Sequence, residues 1–333
     1  MKIIAFFNNK GGVGKTTLVY LVAWMIRELG HKGIAVELDP QSNLSEIFLP
    51  EEKQYSLFFD RDLPKYTIME ALERIAENEP YQRPHVEHIV DRLGLVVGDL
   101  KLSLFEEKLS ESWLGALRGD VYHFKILTSI HRIITDAGKK MDAEYALLDL
   151  GPNLGAINRS ALLAADYLVV PVGSDLFSLV GLENIGLTLE NWKEGWTKRK
   201  RELKESKRAN FPQQFGRPIG YVIMQYVAAS ANRPVKAYQR WADQLPNTFR
   251  KNVLQQQSTE RIRPESDPNC LGLLKHYHSL APLSMDARKP IFKLKASDGA
   301  IGSHIYLVQD SFSHFEELSR RIIRSVGLDP KRK

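Results

Sequence analysis

The feature that most restricts this chain is a short glycine-rich run, Lys10-Gly11-Gly12-Val13-Gly14-Lys15-Thr16-Thr17, set between two apolar patterns of different period. Residues 2–7 form a compact β-rich run. Over residues 17–29, Leu18, Leu21, Val22 and Met25 recur at helical spacing until Gly30 stops the helix. A strand, a glycine turn and a helix in that order aim several backbone N–H groups, and the positive end of the helix, at one point in space. That point suits a phosphate group. Gly11, Gly12 and Gly14 supply the turn, Lys15 stands where it can neutralise β- and γ-phosphates, and the Thr16 hydroxyl is placed for Mg²⁺. Thr17 follows for the α-phosphate. The pattern G-x-x-x-x-G-K-[ST] is not met in full, because Asn9 holds the first glycine position and Lys10 adds a second lysine.

Further short apolar runs lie at residues 33–38, 93–97, 145–150, 167–172 and 219–224, with helical stretches between them. This alternation predicts an α/β fold, a mostly parallel β-sheet with helices on both faces and ligands at the carboxyl ends of the strands. The expected organisation is a single elaborated domain over 1–333. Charged, helix-prone residues 49–90 and basic residues 193–218 form helical elaborations, and residues 310–327 a closing amphipathic helix.

The loop resembles the deviant Walker A motif of the ParA/MinD family of P-loop ATPases, and is most similar to that of the ParA-like partition ATPases. The resemblance implies ATP with Mg²⁺ as cofactors, bound by Gly11, Gly12, Val13, Gly14, Lys15, Thr16 and Thr17. It also implies that Lys10 reaches the nucleotide of a second subunit across a homodimer. Glu37-Leu38-Asp39-Pro40-Gln41-Ser42-Asn43 is similar to the family's switch segment, and Leu148-Asp149-Leu150-Gly151-Pro152 to its Walker B strand end. On that basis Lys10, Lys15 and Asp39 are the catalytic candidates, with Asp39 orienting the attacking water. Thr16, Asp39 and Asp149 are the candidates around the metal. Glu37 stands where the family usually has a shorter aspartate, which bears on water placement. The resemblance runs on through residues 165–182 and places residues 224–233 near the adenine.

Lys and Arg number 46 against 40 Asp and Glu, a formal charge of +6 that inclines the chain toward anionic partners. The strongest basic run holds Lys198, Arg199, Lys200 and Arg201. A second candidate surface carries Arg320, Arg321 and Arg324, with Lys331, Arg332 and Lys333 beyond. A charged helix can equally be a solvated face, and the tryptophans beside the first run can equally pack on the core. With the resemblance, these residues are the candidates for nonspecific DNA, and the whole is read as a partition or cargo-positioning switch reset by a ParB-like activator. The alternative is a switch of the same kind that recruits a protein effector without DNA.

One cysteine, Cys270, permits no disulfide or thiolate cluster within the chain and argues against a cluster-bridging reductase. The first apolar run is too short for a signal peptide, and the last helix is interrupted by His314, Glu316 and Glu317, so membrane attachment is not expected. The expected compartment is the cytoplasm, at the nucleoid where DNA is bound.

Overall fold

Eight segments pair into one sheet in the computed structural model, which describes residues 1–59, 66–80, 84–226, 235–257, 261–277 and 279–327. The strands are β1 (Lys2–Phe6), β2 (Gly33–Glu37), β3 (Glu87–Val90), β4 (Leu93–Val96), β5 (Tyr145–Asp149), β6 (Tyr167–Gly173), β7 (Arg217–Met224) and β8 (Cys270–Leu273). Their spatial order is β3-β4-β2-β5-β1-β6-β7-β8, parallel throughout except for β3 against β4. The helices are α1 (Lys15–Glu28), α2 (Asn43–Phe48), α3 (Glu51–Phe58), α4 (Ile68–Ala76), α5 (Leu102–Gly115), α6 (Val121–Leu127) and α7 (Ser129–Met141). They continue with α8 (Ala156–Ala164), α9 (Leu176–Glu202), α10 (Glu205–Arg208), α11 (Val235–Ala242), α12 (Leu245–Thr248), α13 (Ala281–Ala287) and α14 (Ser303–Ser325).

Central strands read as continuous apolar runs because both of their faces are covered. In β1, Ile3 and Ala5 face a core shared with α4 to α9, while Ile4 and Phe6 face one built with α1 and α14. Phe6 and Glu37 both register opposite Asp149, so β1, β2 and β5 finish at one edge of the sheet. The chain turns to opposite sides of β1 from there, which is where an open α/β sheet offers a ligand crevice.

Two strands depart from the sequence expectation. Residues 49–90 hold α3 and α4 as expected but end in β3, an edge strand carrying Glu87 and His88; β8 has only four residues, one of them Gly272. Residues 193–218 are the last turns of α9, then α10, a connection and the first residues of β7. The closing helix begins at Ser303, and its Phe315, Leu318 and Ile322 are buried in the core against α1 and β8. No helix among the described residues is long and apolar enough to cross a membrane.

Candidate nucleotide-binding site

The glycines do what the local backbone demands. Gly12 and Gly14 have φ of 72° and 85°, a region closed to most side chains, and Gly14 is the N-cap of α1 with no side-chain cap. The first N–H groups of a 14-residue helix are therefore left for a ligand. A Cβ on Gly14 would lie 3.2 Å from Met224 Cε, which places the end of β7 against the loop. Asn9 Oδ1, at the position of the motif's missing glycine, is buried without a partner.

Lys15 is buried at 7% exposure, and burial pulls its ammonium down; Asp149 and Asp39 pull it back up. The three sequence candidates thus converge in one field. Asp149 ends β5 fully buried, and neither of its carboxylate oxygens accepts a hydrogen bond of acceptable geometry. Burial pushes its carboxyl above the usual range, opposed by the neighbouring Thr16 hydroxyl and Lys15. A buried carboxylate with both oxygens unspent, beside a threonine hydroxyl, is a donor set that fits a hard divalent cation or the waters around it. Asp39, half-buried, lies across from Gly151, where a Cβ would sit 3.4 Å from Asp39 Oδ1.

Two partners were not legible in the sequence. Glu37 does not face water: it is fully buried, and its two oxygens accept three backbone N–H groups, from Asp39, Leu44 and Ser45. Burial and the facing Asp149 raise its carboxyl well above the usual range. Lys10 forms a 2.6 Å ion pair with Asp175, and Asp175 also caps α9 by accepting the Ser178 N–H. Burial alone would raise the Asp175 carboxyl, but Lys10 and Ser178 outweigh it and hold it low. The Asp175-Leu176-Phe177-Ser178 capping pattern is visible in the sequence; its pairing with Lys10, 165 positions away, is not.

The basic residues divide. Arg199, expected on a DNA-facing surface, is buried: its Nε donates to the Trp113 carbonyl, Nη1 donates to the Gly195 carbonyl, and the guanidinium stacks on the Trp113 ring. That removes it from any surface reading. Lys200 is tied to Gln213, whereas Lys198 and Arg201 are exposed. Arg320 and Arg321 pair with Glu316 and Glu317 one turn back, and Arg324 is exposed. Lys331, Arg332 and Lys333 lie outside the described residues, as do His278 and most of residues 224–233.

A phosphate-cradling loop between β1 and α1, with strand-end carboxylates around its lysine, defines a P-loop ATPase of the parallel-sheet class. The chain belongs to the AAA_31 family, an AAA domain whose family model matches residues 1–203, and within it to the ParA-type P-loop ATPases. It is 27% identical over 223 residues to an uncharacterised protein of Methanocaldococcus jannaschii, covering 64% of this chain and 77% of that one. It is 26% identical over 194 residues to the chromosome partitioning protein ParA of Caulobacter vibrioides, covering 57% of this chain and 62% of that one. A solved structure from Corynebacterium diphtheriae superposes with a TM-score of 0.69 at 20% identity, over 98% of this chain and 99% of that one. That likeness concerns the fold.

Proposed function

We propose that this chain is an ATP-driven positioning switch: it binds MgATP, pairs with a second copy, and is reset by slow hydrolysis that a partner accelerates. The observation that carries the reading is the division of labour around the loop. Asp149 and Lys15 face each other inside, while Lys10, one-third exposed, stands at the rim with only a surface aspartate to hold it. Asp149, Thr16 and Asp39 would hold the cation and its waters; a bound Mg²⁺ would supply charge neutralisation for the departing phosphate. Asp39 would orient the attacking water, and Lys10 would reach the nucleotide of the second copy. The paired form is read as holding nonspecific DNA through Lys198, Arg201 and Arg324, the exposed cations among the basic candidates.

A second reading rests on the N-terminal part of α9. On α9, Phe177 and Leu187 are 72% and 61% exposed, with Val180 between them, an apolar stripe better suited to a protein than to phosphates. The paired form would then recruit a protein effector.

Light scattering with ADP, with ATP and with ATP plus a random DNA duplex tests both, using Asp39→Ala to slow hydrolysis. Mass that doubles with ATP and then shifts onto DNA supports the partition switch. Doubling without a shift supports the effector reading, and no change with nucleotide removes the cross-subunit role of Lys10.

A further inference from the structure

Glu37 occupies the position at which a shorter aspartate is usual in the family, and its surroundings fit the longer side chain. Oε2 accepts the N–H groups of Leu44 and Ser45 at 2.7 and 3.1 Å, and Oε1 accepts that of Asp39 at 3.1 Å. These amides are the two at the start of α2 and the one belonging to Asp39 itself. Ser42, the residue at the N-cap, offers no side-chain cap, so Glu37 performs that task from the end of β2. The far side of the anchor is specialised as well. A Cβ at position 98 would stand 2.9 Å from Glu37 Cβ and closer still to Cγ, and the Gly98 N–H donates to Ser45 Oγ at 3.1 Å. The intervening segment is closed on itself, with the Asp39 carbonyl accepting from Ser42 and Asp39 Oδ1 accepting from Gln41.

We infer that Glu37 is a positioning residue for Asp39: it clamps the 38–45 segment by its backbone, and Gly98 leaves the room in which the stem of the Glu37 side chain stands. Three N–H donors use most of the acceptor capacity of one carboxylate, so Glu37 has little left for a metal-bound water. Both carboxyl oxygens of Glu37 serve as acceptors here. In a glutamine, the –NH₂ group would meet one set of donors head-on. An aspartate is one methylene too short to reach both Asp39 and the start of α2 at once. The switch segment of this chain is therefore held by Glu37, with Gly98 packed against the Glu37 side chain just beyond the neighbouring strand. This inference rests on the proposed ATPase reading only for its kinetic consequence; the clamp itself is a property of the backbone.

The test uses the full chain with Glu37→Gln, Gly98→Ala and the double variant. Amide hydrogen exchange without nucleotide should quicken about tenfold or more at Asp39, Leu44 and Ser45 in Glu37→Gln, with β1 and β5 amides unchanged. In steady-state ATP turnover, kcat should fall about tenfold while KM and the nucleotide Kd stay within about twofold. Gly98→Ala should reproduce both effects, and the double variant should be no worse than either single one, since all break one clamp. Parent-like exchange in Glu37→Gln overturns the inference, as do additive losses in the double variant or a KM that rises as far as kcat falls. If the parent chain turns over no ATP, the proposed function fails, and the exchange measurements still decide on Glu37.

Discussion

The nucleotide corner and the basic half of α9 treat their polar groups in opposite ways. At the corner, Asp149 is buried with both oxygens unpartnered and Asn9 Oδ1 likewise; along α9 the charges are either tied up, as Arg199 and Lys200 are, or open to water, as Lys198 and Arg201 are. A polar group left unsatisfied in the interior costs several kcal/mol at most and a fraction of that at least, so it persists where a ligand completes it. A run of lysines and arginines costs nothing to display. The contrast ranks the two regions as sites: charge density alone is weak evidence, and an incomplete buried set is strong evidence.

The largest expected effect belongs to the corner. Lys15→Ala should weaken nucleotide binding about a hundredfold or more, read by calorimetry with a non-hydrolysed ATP analogue, because the buried ammonium has no substitute among its neighbours. Parent-like affinity would break the comparison outright. Next, Asp149→Asn should lose most of the Mg²⁺ dependence of binding, about tenfold or more in affinity with metal present and little without it.

The same residue gives a pH test with a definite sign. Burial raises the Asp149 carboxyl in the folded chain, so the folded state holds a proton that the unfolded state releases. Its contribution is most favourable at low pH and is lost as pH rises from the ordinary carboxylate range near 4 through the raised value. Without nucleotide or metal, the parent should lose on the order of 1 kcal/mol or more relative to Asp149→Asn across that window, followed by denaturant titration. A difference that is flat with pH would show that the carboxylate is stabilised in a way the geometry does not reveal.

In the other region, the expected loss is one of packing. Trp113 carries Arg199 on one side and Arg159 on the other, at 3.9 and 4.0 Å from the ring centroid, and the Arg159 guanidinium is pushed down to about 10 by burial and by Arg199. Trp113→Ala should destabilise the fold by about 2–4 kcal/mol, leaving two crowded cations without their shared ring. The smallest effect is expected for Lys198→Glu with Arg201→Glu, within about 0.5 kcal/mol in stability. Any loss of ATP-dependent duplex retention in that variant would then be a surface effect.

What the sequence discloses follows the same line between local and distant. The loop, α1 and the strands β1, β2, β4, β5, β6 and β7 are written in contiguous residues, as a glycine turn or a doubly covered apolar run. β3 and β8 are not. The first places two polar residues, Glu87 and His88, before two apolar ones at an edge of the sheet, and the second is four residues interrupted by Gly272. Asp39 and Asp149 were legible because Asp149 ends a strand and Asp39 follows one by two residues. The tasks of Glu37 and Asp175 depend on backbone N–H groups and on a lysine brought from elsewhere. Arg199 was misread for the complementary reason: helical spacing gives the charge of a face, and only the neighbouring α5 decides whether that face is covered.

α14 has a consequence for the order in which the molecule can be made. The phosphate loop is synthesised well before α14, yet β1 gains its second neighbour only with Tyr167–Gly173, and the apolar face of α1 packs against Phe315, Leu318 and Ile322 of α14. Such long-range pairing delays completion until α14 is available. A message cut short before α14 would yield a product with every residue of the loop motif and a bare α1, a client for chaperones and proteases and not a slow version of the finished protein.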